Sequence, residues 1–528
     1  MLTVVLNGWG DMMTGVNRRS FLQAAGLVAA SAPGIDKARG EAEGEDHPNI
    51  LFILSDNFDP NVVGSEGHAF ARTPNIDRLA AEGTSFSNCY CGSPLCAPAR
   101  ASLISGMFPS DVDSWCNATP FQGKVSTWGH RLRESGYYCK ATGKMDLTGH
   151  ADLGFEQVDT QHGHDTQPDV TALFRRPLCY RVDERPNIDM RVMRSQHRDE
   201  PVTLTTLGFL KNEAPRLTNP WAFHVGYIGP LPGFAVEPEY AEMYDPGQLQ
   251  LPKVPADYLE KLPLPWQATR AYKRIATPIP EDRQRKALAA YYGNVAALDD
   301  RIGRVLDGLR HSGQMENTVV VYTVDHGRSL GEHGLWYHNE PTDHSSRVTL
   351  IITGPGIPKG KRITTPVMHV DLYPTLLELA GAQVPMGLRG HSLRPLWQGQ
   401  PGNHPEYAYS ECHAEGTCSG SFVIRKEKWK YIYYSYYDDL LFNMEEDPEE
   451  MHNLIETPEG QEVSRELHEI LLSLVGDPDQ VTERAFKRQE RMLRELCAKM
   501  NLEELLEFGF ERRLGRGQAL ALLKKYKS

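Results

Sequence analysis

The sequence predicts an α/β fold: a large mixed, mostly parallel sheet sandwiched by helices, with a smaller antiparallel-sheet subdomain toward the C-terminus. Three observations carry this. Apolar runs at 49–54, 221–228 and 318–324 each stop at polar or Gly/Pro punctuation, as strands buried on both faces do. Between the second and third, Arg285 to Leu309 has a helical period through Leu288, Tyr291, Tyr292, Val295, Leu298, Ile302, Val305 and Leu306. Beyond Gly402 come short β-rich runs, Phe422–Arg425, Trp429–Tyr434 and Asp439–Phe442, separated by turn residues, the signature of a small antiparallel sheet.

A chain of 528 residues exceeds a single small core, so one large domain and smaller appendages are expected. The divisions read from texture are 1–47 as signal and linker, 48–400 as the main domain, 401–475 as the β subdomain and 476–528 as a charged helical tail. Apolar content of 40% and charged content of 24% are those of an ordinary globular protein. A formal net charge of −13 with no Lys/Arg block excludes a nucleic-acid footprint. Nine cysteines are too few for a disulfide scaffold; whether Cys412 pairs with Cys418, or Cys89 with Cys91, stays open.

The N-terminus reads as an address. Asn17-Arg18-Arg19-Ser20-Phe21-Leu22 is a twin-arginine pattern, followed by an apolar stretch from Ala24 to Ala32. That stretch is well short of the roughly 20 residues a membrane span needs. The expectation is bacterial export to the periplasm or medium, with no membrane span.

In chain order, the first strand ends in Ser55-Asp56-Asn57. An acid at the C-terminal end of a central strand faces the ligand crevice of an α/β sheet, so Asp56 is a candidate ligand for a hard cation, with the Asn57 amide oxygen beside it. Thr73 to Ala80 opens a helix at Pro74. Cys96 then stands just ahead of a small-residue helix, with Pro98 in its first turn and Arg100 one turn on. Pro is favoured there, and a helix start favours an anion. A helix from Trp128 stops at Gly136. The strand after it ends in Gly143-Lys144-Met145-Asp146. Residues 160–200 read as loops over the cleft and 235–280 as a Pro-rich insertion or lid. The strand at 318–324 ends in Asp325-His326-Gly327; His338 follows, and then a third apolar strand at 347–352 and a helix opening at His369. Spaced Leu and Met in the tail read as a docking or homo-oligomer helix.

The block Cys96-Ala97-Pro98-Ala99-Arg100, its small-residue helix and Gly106 resemble the signature of the type I sulfatases, of the alkaline-phosphatase-like superfamily. The flanking blocks, Ile53–Asp56, Gly143-Lys144 and Val324–Gly327, fall in the family's order. Ser93–Arg100 and Ser135–Met145 look most like the choline-sulfatase-like branch. The resemblance spans 48 to about 460. It implies that a formylglycine-generating enzyme converts Cys96 to formylglycine. It further implies one divalent cation held by Asp56, Asn57, Cys96, Asp325 and His326, with calcium expected and manganese or magnesium as alternatives. The hydrated aldehyde attacks sulfur, and its second hydroxyl later expels sulfate. Arg100 supports the nucleophile and Lys144 the sulfuryl oxygens.

The chain departs from the family at four places: Asn57 for Asp, Asp146 and Leu231 for His, and His338 for Lys. His338 is the expected substitute for the missing general acid, since imidazole titrates near neutral pH. The function implied is hydrolysis of a small-molecule or glycan sulfate ester. Alternatives are a phosphonate or phosphodiester hydrolase on the same scaffold, and a sulfatase-like binding protein that has lost the chemistry.

Overall fold

A computed structural model describes residues 47–527 except 148–150, 162–172, 174–178, 194–198, 231–233, 256, 401 and 403. The twin-arginine pattern, Leu231 and part of the 160–200 loop region lie outside the described residues.

The main sheet has nine strands among the described residues. They are β1 (Asn49–Asp56), β2 (Thr84–Tyr90), β3 (Tyr138–Lys144), β4 (Glu156–Gln161), β5 (Trp221–Pro230), β6 (Thr318–Val324), β7 (Arg347–Thr353), β8 (Lys361–Ile363) and β9 (Val367–Met368). Their order is β8-β2-β7-β6-β1-β5-β3-β4, with β9 also paired to β2. β1 lies between β5 and β6 and is parallel to both; β3 continues the parallel set through β5 and β4. β7 alone runs antiparallel, to β6 and to β2, so β2 again points the same way as β6. Every residue of β1, β5 and β6 is buried, which is why these strands are apolar without alternation.

This topology decides where the site is. The C-terminal ends of β1, β2, β3 and β6 share one edge, so residues 56, 96, 144 and 325 meet although up to 269 positions separate them (325 − 56). Helix α1 (Cys96–Ser105), six residues past β2, is buried along its whole length. It has no side-chain N-cap, and Gly106 ends it at φ +67° with its N–H on Ser102 O, a left-handed C-cap that glycine adopts freely. Helix α2 (Glu281–His311) is the long amphipathic element the period predicted and is the longest one packed on the sheet.

The C-terminal sheet is antiparallel, β10 (Tyr407–Cys412), β11 (Ser421–Lys426), β12 (Trp429–Tyr434) and β13 (Leu440–Asn443) in sequence order. Its Tyr409, Phe422, Ile424 and Tyr431 join one cluster with Tyr90, Phe108 and Trp115 of the main domain and with Leu467, Leu471 and Phe486. Beyond it, Leu493, Cys497, Leu505, Phe510, Leu514 and Leu523 join a cluster with Leu95, Tyr272, Cys412 and Ala414. These apolar residues of the tail thus dock on the tail's own chain, one of the two readings of their spacing. No helix among the described residues is long and apolar enough to cross a membrane.

Candidate active site

Two strand ends are stitched together by their backbones. Asp325 N donates to Ser55 O at 3.0 Å and Phe58 N to His326 O at 3.1 Å. Asn57 N donates to Asp325 Oδ1 at 3.0 Å. Asn57 adopts φ +61°, a left-handed conformation that Asn tolerates better than most residues. Gly327 is tied in the same way, its N donating to Ser345 O at 2.8 Å. A Cβ there would meet His344 O at 2.1 Å, so no larger residue fits against that backbone.

Around this frame the ligating atoms of Asp56, Cys96, Asp325 and His326 all lie within 4.8 Å of one another. Cys96 Sγ is 3.2 Å from His326 Nε2. The other nitrogen, Nδ1, sits 3.0 Å from Gly327 O; as the donor there, it leaves Nε2 with its lone pair toward Cys96. Arg100, one turn along α1, donates Nε to Asp325 Oδ2 at 2.8 Å, Nη2 to Asp56 Oδ2 at 3.0 Å and Nη1 to Lys144 O at 2.6 Å. Lys144 Nζ binds Asp56 Oδ2 and lies 3.0 Å from Asp146 Oδ2. One arginine and one lysine therefore join three carboxylates from three strand ends.

Electrostatics follow from this pairing. Burial opposes the Asp56 charge, but Lys144 and Arg100 outweigh it and hold the carboxyl below its ordinary range. Burial also opposes the Lys144 charge; Asp146 and Asp56 reverse this and keep the ammonium protonated. Burial, then the nearby Asp56 carboxylate, pushes the Cys96 thiol well above its ordinary value. Asp56 Oδ1 has no hydrogen-bond partner among the described residues. An orphaned carboxylate oxygen beside a second carboxylate, an imidazole lone pair and a sulfur fits a divalent cation.

His338 lies at the rim, its ring centroid 4.6 Å from that of His326. The amide of Asn57, oriented by its neighbours, donates to Gly327 O at 3.1 Å and accepts from His338 Nδ1 at 3.3 Å and Arg328 Nη1 at 3.0 Å. Burial, then His326, Lys273 and Arg328, press the His338 pKa well below its ordinary value. The imidazole is neutral in the resting site, which removes the near-neutral titration expected of it. Asp146, where the resemblance implies a histidine, is an ion-pair partner of Lys144.

Two supporting residues were not found from sequence. Glu415 accepts from Asn117 Nδ2 at 3.2 Å and Asn339 Nδ2 at 3.3 Å. Asn117 Oδ1 in turn accepts from Ala97 N at 3.0 Å, so the C-terminal subdomain fixes the first turn of α1. No local pattern marks position 415. Arg328 does sit in a marked block, two residues past His326, and that adjacency was the available signal.

Comparison with known proteins agrees with this geometry. The family model described as Sulfatase matches residues 48–382, and the one described as N-sulphoglucosamine sulphohydrolase, C-terminal, matches 331–477. Arylsulfatase K of Danio rerio is 32% identical over 463 residues, covering 82% of this chain and 84% of that protein. Choline-sulfatase of Rhizobium meliloti (strain 1021) is 31% identical over 438 residues, covering 78% and 83%. The crystal structure of a phosphonate monoester hydrolase from Agrobacterium radiobacter shares the fold, with a TM-score of 0.67 at 22% identity over 81% of this chain and 95% of that one. With the family match covering most of the chain and the nucleophile block, both strand-end acids and the basic pair converging on one edge, this chain belongs to the sulfatase family and is a sulfuric ester hydrolase.

Proposed function

We propose that the enzyme works through a formylglycine at position 96 and one divalent cation, calcium in the first instance, on sulfate esters of a small alcohol or sugar. The observation that carries this reading is the meeting of Cys96, His326, Asp56 and Asp325 within 4.8 Å. The raised thiol pKa supports it as well: a thiol kept protonated by burial is a poor nucleophile, whereas conversion removes the thiol altogether. Asp56, Asp325 and His326 hold the cation, which supplies Lewis-acid polarisation of ester oxygens when bound. The Asn57 amide oxygen already has two donors on it, so its part is to order His338.

The remaining roles belong to the chain's own groups. Arg100 keeps both carboxylates oriented. Lys144, bridging Asp56 and Asp146, presents an ammonium to the sulfuryl oxygens. His338 is neutral at rest with its Nδ1–H on the Asn57 oxygen; the negative charge of a bound ester raises its pKa toward a protonated state, and Nε2 then donates to the ester oxygen. The twin-arginine pattern supports export of the folded enzyme, and a dedicated oxidising enzyme is needed for conversion.

The test is mass spectrometry of the Cys96 peptide after co-expression with a formylglycine-generating enzyme, followed by assays of converted protein. An aryl sulfate, choline O-sulfate and an aryl phosphonate monoester form the panel, the first two suggested by the names of the relatives. Conversion with sulfate turnover is the expected result. An unmodified thiol sinks this route, and preferential phosphonate turnover reassigns the substrate.

A further inference from the structure

Arg328 lies beside the site and has no part in the roles given above. Its side chain is fully buried. The guanidinium stands 4.7 Å from the ring centroid of Phe234, 5.0 Å from Tyr337 and 5.5 Å from Tyr291. These rings favour a cation, yet they are weak acceptors, and both hydroxyls are engaged elsewhere. Tyr337 OH donates to Glu184 O at 2.8 Å, and Tyr291 OH to Asn57 O at 3.3 Å. Nη1 has the Asn57 amide oxygen. Nε and Nη2 have no hydrogen-bond partner among the described residues.

The acids whose fields reach Arg328 are Asp56 and Glu184. Asp56 is paired with Arg100 and Lys144, and Glu184 with Arg181 at 2.9 Å. A buried guanidinium with open donors is costly unless an oxygen-rich partner arrives. Its position limits that partner. Arg328 Nη1 shares the Asn57 oxygen with His338, and the His338 ring lies against His326, which touches Cys96. These contacts place Arg328 beside the His326–Cys96 pair. The residue at 57 fits the same logic: a carboxylate there would pair with Arg328 and neutralise it, whereas the amide leaves the charge available.

We infer that Arg328 is an anion-binding residue of this active site, its open N–H groups donating to sulfuryl oxygens of the ester. The inference rests on the sulfate-ester reading above. Asn57, Arg328 and His338 then form one set, a neutral amide, a guanidinium and a neutral imidazole linked through the Asn57 oxygen.

The experiment is calorimetric titration of inorganic sulfate into the full-length chain with Cys96 unconverted, at constant ionic strength. Arg328→Met should weaken sulfate binding by about ten- to a hundred-fold, the range of a charge-assisted hydrogen bond. Arg328→Lys should weaken it less, and Asn57→Asp should weaken it by pairing with the arginine. A folded Arg328→Met protein that binds sulfate within about twofold of wild type overturns the inference. Should that variant not fold, unchanged affinity in both Arg328→Lys and Asn57→Asp overturns it equally. Phenylphosphonate is titrated in parallel. If wild type binds and turns over only the phosphonate, and Arg328→Met loses that binding, the sulfate reading fails while the role of Arg328 stands. If wild type binds neither anion, the inference falls.

Discussion

The two sides of the active site are built on opposite principles. On one, Arg100, Lys144, Asp56, Asp146 and Asp325 neutralise one another through short contacts, and Arg100 places three of its nitrogens on protein oxygens. On the other, Asn57 and His338 carry no charge and Arg328 keeps two nitrogens without a partner. The first side is paired within the chain except at Asp56 Oδ1, whereas the second leaves guanidinium donors open. On the function proposed above, the paired side orients the carboxylates and the open side receives part of the ester.

The comparison breaks most severely at the nucleophile. Cys96→Ala leaves both sides intact but should reduce sulfate-ester turnover by about 10⁴-fold or more, read as initial rate on converted protein, with an unchanged melting temperature. Next in size is the loss of one arginine from each side. Arg100→Ala strands buried carboxylates and should cost about 3–5 kcal/mol of stability, measured by urea unfolding in chelator. Arg328→Met removes a charge with no anionic partner and should be neutral or stabilising by about 1 kcal/mol under the same conditions. Equal losses in the two variants would erase the distinction between the sides.

A smaller effect belongs to the rim. His338→Gln should lower kcat by about 10²-fold for alkyl sulfates and by less than about tenfold for activated aryl sulfates, because only the former need proton donation at the leaving oxygen. Equal losses on both would assign His338 to binding.

The smallest effect per pH unit comes from three buried histidines, one in the main sheet and two in 3-10 turns. His224, His333 and His369 are buried, and burial first of all brings each from 6.5 to about 3. Folded, they stay neutral below pH 6.5, while the unfolded chain takes up protons. Stability is therefore full above about pH 6.5 and is lost as pH falls toward 3. Each group contributes about 1.4 kcal/mol per pH unit in that window. His224→Phe, at a ring stacked on Phe52, should flatten the slope of unfolding free energy against pH by that amount.

Much of the fold was legible because its strands are buried on both faces. The run at 318–324 is β6 residue for residue, and the period at 285–309 is the core of a helix extending from Glu281 to His311. Tyr407–Cys412 was not read as a strand, since its alternation is masked by Tyr and Glu that the subdomain buries. The 235–280 insertion hides helix Leu264–Tyr272 and the buried Lys273, which holds His338 O at 2.5 Å; Pro-rich flanks obscure both. Asp56 was legible as a candidate ligand from its place at a strand end, and Asp325 and His326 through the family resemblance. The setting of Arg328 was not: Phe234, Tyr291 and Tyr337 come from three separate segments, and only packing reveals that they enclose one guanidinium. Likewise, spacing of Leu in the tail foretold a buried face without naming what it buries.

That buried tail bears on the order of events in the cell. Cys96 is 4% exposed, and Leu95 just before it packs in one cluster with Leu493, Leu505 and Leu523. On the proposed conversion of Cys96, an oxidising enzyme would reach this segment only while the helices carrying those leucines are undocked. Their docking would then close the window for maturation, and chains truncated before residue 493 should be converted more completely than the chain of 528 residues.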